Sequence, residues 1–207
     1  MKAHLGNPAM AHILDQGPEW KRVRSFFQTD LLSPQAARQY IPAIAETTKY
    51  ASQGVVNYKN DLNTFMEDAS FDMFSSLTLG SHTRITDPHT ETDPRDIQFC
   101  RAVKKGLTGN TLMTQDPKEM VLGKYMGITT TKYKEFQQHW VDALEIATEK
   151  IQAFLEKRKN GTLNQDEQHS YLQQALNRLE EQHGVDNPIT EDECVQLVKG
   201  LLGASVE

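Results

Sequence analysis

Residues 136–155 place Phe136, Trp140, Leu144, Ala147, Ile151, Phe154 and Leu155 three and four positions apart, and no other stretch of the chain restricts the fold so strongly. That spacing keeps apolar side chains on one face of an α-helix. Lys157, Arg158 and Lys159 complement the negative end of such a helix, and Gly161 supplies a stop. The pattern predicts one amphipathic helix of roughly 28 residues, about 40 Å long at 1.5 Å per residue. Its stripe is too short, and its flanks carry too little charge order, for a coiled coil. An apolar face of this length must be covered, so the remaining segments have to supply the matching surfaces.

They supply more helices. Strand alternation is nearly absent, and the chain reads as mainly α. Ser33-Pro34 pairs an N-cap with proline at the first helical position and predicts a helix toward Gly54, with Pro42 expected to kink or break it. From Asp61, residues Leu62, Phe65, Met66, Ala69, Met73 and Leu77 recur at helical spacing until Gly80, predicting a helix buried on one broad face. Residues 81–93 are polar, contain Pro88 and lack periodicity, which predicts a loop. Asp93-Pro94 reopens a helix through Ile97, Cys100 and Val103 to Lys104, expected to be interrupted at Gly106, Gly109 and Asn110. A short helix around Asp116-Pro117, with Met113, Met120, Val121, Leu122, Tyr125 and Met126, reads either as a mobile lid or as a connection packed on the core. A further helix is predicted from Tyr171 to Glu181. Thr190-Glu191-Asp192-Glu193 is a capping box that opens a last helix through Val195, Val198, Leu201 and Leu202.

Charge and composition remove several classes of function. A net charge of −6, with lysine and arginine scattered among acids, disfavours nucleic-acid binding. Charged residues at 24% and a mean hydropathy of −0.59 describe a globular chain with a wetted surface, and no apolar run of about 18 residues occurs. The first residues, Met1 to Pro8, are too polar for a signal peptide. Cys100 and Cys194 are far apart and outside any C-x-x-C, so both are expected as buried thiols. The seven histidines show no H-x-x-x-H or H-E-x-x-H spacing, and no metal site built from the chain's own ligands is expected.

Two segments carry the candidate chemistry. Gly17-Pro18-Glu19-Trp20-Lys21-Arg22-Val23-Arg24 starts a helix on which Trp20 and Arg24 share a face with Val23, Phe27 and Leu31. A guanidinium in an apolar stripe calls for a carboxylate or phosphate, with the indole N–H as a second donor. The alternative is an arginine at the stripe's edge whose head reaches water. At the other end, Lys199 to Glu207 holds Gly200, Gly203, Ala204 and Ser205 in a helical run. Glycine in a helix interior costs about 0.8–1 kcal/mol against alanine, so small residues there imply close approach of something flat or bulky, or tight helix–helix packing. The helical pattern is still running at Glu207, and the domain is expected to continue.

In this order the segments resemble the cytochrome P-450 family of haem-thiolate monooxygenases. Trp20 to Arg24 is similar to the family's C-helix W-x-x-x-R, and Leu31-Leu32-Ser33-Pro34 follows it as in the mitochondrial-type and related eukaryotic clans. Asp68 to Gly80 resembles the E helix, and Arg95 to Lys159 the F and G helices with their loop. Leu201 to Glu207 looks like the start of the I-helix motif A-G-x-[DE]-T, with Ser205 where glycine is usual. The resemblance implies that residues 1–207 are the central part of a single P-450 domain, from the C helix to the start of the I helix, truncated at both ends.

It also implies roles. Trp20 and Arg24 would bind a haem propionate, Ala204 would approach the haem and oxygen, and Glu207 would be the acidic member of the proton-delivery pair. The E-x-x-R pair of the family's K helix and its F-x-x-G-x-x-x-C loop have no counterpart in the chain, since the one E-x-x-R here, Glu19 to Arg22, lies in the segment that resembles the C helix, and neither Cys100 nor Cys194 has that setting. The thiolate ligand of the haem iron is thus expected outside these residues, and this polypeptide alone is expected to be inactive. The parent would insert one atom of O₂ into an apolar small molecule, with electrons from a ferredoxin or reductase partner and the Met113–Met126 region capping a channel. It would be associated with the endoplasmic reticulum or mitochondrial membrane. Two other classes stay open at this point: a non-catalytic α-helical scaffold that binds partners through its long helix, and a degenerate member that binds haem or lipid without turnover.

Overall fold

The computed structural model describes residues 17–59, 61–116, 118, 122, 126–128, 130–182 and 187–203. Among them the regular structure is helical throughout, with no strand. In chain order these are α1 (Pro18–Leu32), α2 (Pro34–Gly54) with a 3₁₀ turn at Val55–Tyr58, α3 (Leu62–Leu79), α4 (Pro94–Gln115), α5 (Thr131–Asn160), α6 (Gln165–His169), α7 (Tyr171–Glu180) and α8 (Glu191–Gly203). None of the described helices is long and apolar enough to cross a membrane.

The local signals act as expected at most helix ends. Ser33 Oγ accepts from the Ala36 N–H at 3.1 Å, ahead of Pro34. Thr130 caps α5, whose 30 residues end at Gly161 with a φ of 66°. The predicted capping box opens α8: Thr190 Oγ1 accepts from the Glu193 N–H at 3.2 Å, and Glu193 Oε2 accepts from the Thr190 N–H at 2.9 Å. A second capping box, Asn164 with Glu167, opens the short α6, which the sequence reading passed over.

Three expectations fail, each for a lateral reason. α2 passes Pro42 without a break, because Pro42 lies on the exposed side, where water reaches the carbonyl deprived of its donor. α4 continues through Gly106 and Gly109 instead of stopping. A Cβ at 106 would lie 3.0 Å from Cε2 of Trp140, and one at 109 would lie 2.8 Å from Cδ2 of Phe136. The glycines form the groove that receives the aromatic residues of α5, and α4 against α5 is the most extensive helix pair.

The third failure concerns the buried face of α3. Leu62 and Met66 are 62% and 55% exposed, whereas Asp68, Asp72, Ser75, Ser76 and Thr78 are buried beside Ala69, Phe71 and Leu79. The loop that follows α3 has backbone donors with no ladder or helix to receive them. Asp72 receives them: its Oδ1 accepts from the Ile85 N–H at 3.0 Å and from the Thr83 hydroxyl, and its Oδ2 accepts from the Thr86 N–H at 2.9 Å and the Thr86 hydroxyl at 2.6 Å.

The core forms where α3, α4, α5, α7 and α8 meet. Phe71, Val103, Ile151, Tyr171, Leu172, Cys194, Val198 and Leu202 are fully buried there, and Phe71 packs edge-on against Phe99 at 5.1 Å between centroids. α1 is fixed onto this core from two directions. Phe27 meets Tyr171 at 5.9 Å, and the Arg178 guanidinium of α7 donates to both carboxylate oxygens of Asp30, at 2.6 Å from Nε to Oδ2.

Candidate functional site

Helix α1 buries Val23, Phe27 and Asp30. At 100° per residue, Arg24 lies about a quarter turn from the middle of that stripe. Accordingly, Arg24 is exposed and Trp20 half-buried, so the guanidinium stands at the edge of the apolar face rather than within it. The pair is nonetheless organised: Cζ of Arg24 stacks 4.6 Å from the Trp20 ring centroid. With its oxygen turned toward the guanidinium, the Gln28 carboxamide accepts from Nε at 2.7 Å and Nη2 at 3.1 Å. No carboxylate among the described residues forms an ion pair with Arg24. The result is a cation oriented by an indole and an amide, facing outward.

A second arginine on α1, missed by the sequence reading, ties the helix to the far end of the chain. Arg22 Nη2 donates to Glu193 Oε1 at 2.5 Å, and Nη1 donates to the Pro188 carbonyl at 3.3 Å. Burial disfavours the charged form of Glu193, but Arg22 and the Thr190 N–H and hydroxyl outweigh it and hold the carboxyl below its ordinary range. Glu193 therefore caps α8 and clasps α1 at once. No local pattern announces such a pair, since its members are 171 positions apart.

At the end of α8 the small residues have a partner within the chain. A Cβ at Gly203 would lie 3.0 Å from Cζ3 of Trp140, so the flat group approaching this glycine is an indole of α5. Of the two explanations for small residues here, tight helix–helix packing holds at Gly203. Ala204 and Glu207 lie outside the described residues, as do Pro117 and half of the Met113–Met126 segment.

Both cysteines are inert by environment. Burial first, then Glu191 and Asp30, push the Cys194 thiol up to about 12. Burial and the neighbouring Asp68, to which Cys100 donates at 3.4 Å, push the Cys100 thiol higher still. Neither is a thiolate at neutral pH.

A family model described as Cytochrome P450 matches residues 4–207. The chain belongs to the cytochrome P450 family. Membership brings haem, iron and the monooxygenase chemistry of an oxidoreductase. No curated protein matches the chain. The haem of a cytochrome P450 carries two carboxylate arms, and the Trp20–Arg24 pair is of a kind that fits one of them: an outward guanidinium, preset by stacking and in no ion pair with a carboxylate among the described residues. For the iron there is no corresponding fit among the described residues, since Cys100 and Cys194 are both buried in the helical core.

Proposed function

We propose that residues 1–207 are the central part of a single haem-thiolate monooxygenase domain, of the kind found in the mitochondrial-type and related eukaryotic clans. The whole protein inserts one atom of O₂ into an apolar small molecule, taking electrons from a ferredoxin or reductase. The observation that carries this reading is Arg24 stacked beside Trp20, in no ion pair with a carboxylate among the described residues, on the helix that resembles the family's C helix.

Thiolate-ligated haem supplies the O–O cleavage chemistry when bound. The chain's own residues bind and orient. Arg24 and the Trp20 N–H hold a propionate, and stacking lowers the rotamer freedom that Arg24 loses in doing so. Arg22 and Glu193 fix α1 relative to α8, so the propionate donors and the oxygen side of the site keep one spacing. By the resemblance of the last segment to the I helix, Ala204 would approach the haem and oxygen, and Glu207 would be the acidic member of the proton-delivery pair. The Met113–Met126 segment caps the substrate channel. Because both cysteines of this chain are buried in its core, residues 1–207 alone are inactive.

The test uses the full-length protein. Its reduced, carbon monoxide-bound spectrum is expected to show the Soret band of a thiolate-ligated haem, and Arg24→Ala is expected to purify with less haem than the wild type. A spectrum without that band would sink the monooxygenase assignment. Unchanged haem content in Arg24→Ala would sink the propionate role.

A further inference from the structure

Away from the haem side, three elements bring one histidine and two carboxylates together. Glu46 lies on α2, His82 in the loop after α3, and Asp166 in α6, and their ligand atoms all lie within 4.8 Å of one another. His82 Nε2 is 3.3 Å from Asp166 Oδ2 and 3.8 Å from Glu46 Oε2. The arrangement is held from behind. Gly80 has a φ of 66°, and a Cβ there would lie 2.5 Å from the Asp166 carbonyl and the Glu167 nitrogen. Only glycine lets the loop press against α6 closely enough to set His82 beside Asp166. Asp166 in turn sits in a helical turn fixed by the Asn164–Glu167 capping box.

The hydrogen-bond inventory settles which way the imidazole faces. His82 Nδ1 is 3.4 Å from Thr47 Oγ1. The Thr47 hydroxyl has one proton, and the Ala43 carbonyl at 3.0 Å and Ser76 Oγ at 3.2 Å compete for it. The Ser76 hydroxyl donates to the Met73 carbonyl at 2.9 Å, so it cannot also supply Thr47. When that proton goes to either of these oxygens, Thr47 presents a lone pair to the ring and Nδ1 carries the hydrogen. Tyr50 stands edge-on to the ring at 6.5 Å between centroids. That tautomer points the Nε2 lone pair at two carboxylate oxygens. In that tautomer three acceptor atoms converge, one imidazole nitrogen and two carboxylate oxygens, and such a set suits a cation.

We infer that Glu46, His82 and Asp166 form a divalent-cation site, with Zn²⁺ the best match to one imidazole nitrogen and two carboxylate oxygens. Ligand atoms around a tetrahedral zinc stand about 3.3 Å apart, given bonds of about 2.0–2.2 Å. The His82–Asp166 separation already meets this. Glu46 and Asp166 are half exposed, at 48% and 41%, and have the freedom to close the remaining distance. Water completes the shell. Thr47 is the outer hydrogen-bond partner that orients a metal-bound histidine. Arg84, which donates to Glu46 Oε1 at 3.0 Å, leaves Oε2 as the ligand atom and limits the charge of the filled site. The ion ties α2, the loop and α6 into one body, a structural role independent of haem.

The test is zinc uptake by the purified full-length protein, measured by elemental mass spectrometry after dialysis against zinc chloride and then buffer. About one Zn²⁺ per chain is expected beyond the haem iron, with loss of stoichiometric zinc in His82→Gln and a more than about tenfold weaker affinity in Asp166→Asn. His89→Gln, in the same loop but not in the trio, is expected to keep the ion. Zinc chloride is expected to raise the melting temperature of the wild type and not that of Asp166→Asn, a variant of an exposed side chain that removes no packing. Absence of zinc from the wild type, or equal zinc in wild type, His82→Gln and Asp166→Asn, would overturn the site. Because uptake is read on zinc and not on haem or turnover, failure here leaves the monooxygenase reading untouched.

Discussion

Replacing Asp72 by asparagine probes whether a buried carboxylate, rather than apolar packing, holds the loop after α3. The carboxylate accepts four hydrogen bonds, two at each oxygen. In Asp72→Asn the amide oxygen serves Thr86, and the NH₂ group then meets the Ile85 N–H, donor against donor. The Thr83 hydroxyl can rotate to accept, but a backbone N–H cannot. One orphaned buried donor costs about 1–3 kcal/mol, and each surviving bond falls from about 1.5–3 kcal/mol with a charged acceptor to about 0.5–1.5 kcal/mol with a neutral one. The sum is a loss of about 3–5 kcal/mol, a large share of a total stability of about 5–15 kcal/mol. Urea unfolding followed by circular dichroism reads this as a lower midpoint, and amide hydrogen exchange should show Ile85 and Thr86 losing protection first. An Asp72→Asn midpoint within about 0.5 kcal/mol of wild type, the range of ordinary surface substitutions, would refute the reasoning.

Three other outcomes are expected. Gly80→Ala forces a Cβ into the backbone of Asp166 and Glu167 at a φ of 66°, so it should destabilise by more than the roughly 1–2 kcal/mol of the left-handed conformation alone, read from thermal melting. Arg178→Met leaves the nearly buried Asp30 carboxylate without its bidentate donor and should cost about 2–3 kcal/mol, below the full range for a buried pair because Arg178 is 33% exposed; a matched Asp30→Asn, Arg178→Met double variant should recover part of it. The carboxyl of Glu193 lies below its ordinary value of 4.5 in the fold, so its contribution is present above that pH and is lost as acid drives it through the lower folded value. Arg22→Ala should therefore reduce stability near neutrality and flatten the acid limb of the stability curve, measured by melting between neutral and acidic pH.

Legibility in the sequence followed the range of the interaction. Caps and stops are local, so Ser33, Thr130, Thr190 and Gly161 each bound a helix where their residue types say they should. The long α5 was readable because its stripe repeats for many turns. Gly106 and Gly109 misled because a helix breaker and a docking groove have the same letter, and only Trp140 and Phe136, some thirty positions away, distinguish them. The face of α3 misled because hydrophobic spacing ignores a buried carboxylate, and the donors that bring Asp72 inside belong to a later loop. At the candidate site, the Trp20–Arg24 stack follows from an i, i+4 spacing on one helix. The Arg22–Glu193 clasp and the Glu46–His82–Asp166 cluster are products of the fold, and no motif spacing encodes them.

Trp140 presents two edges of one indole to two glycines: the Cε2–Nε1 side to Gly106 and the Cζ3 side to Gly203. Three helices thus take their separation from a single ring, and substitutions at the three positions are not independent events. A methyl group added at 106 or 203 requires the indole to give by a few tenths of an ångström against its other neighbour, while a smaller residue at 140 leaves a gap that larger side chains at 106 and 203 could fill together. Lineages that descend from this sequence should therefore exchange these residues as a set, and a chimaera that takes α5 from one relative and α4 or α8 from another should be unstable even where each parent folds well.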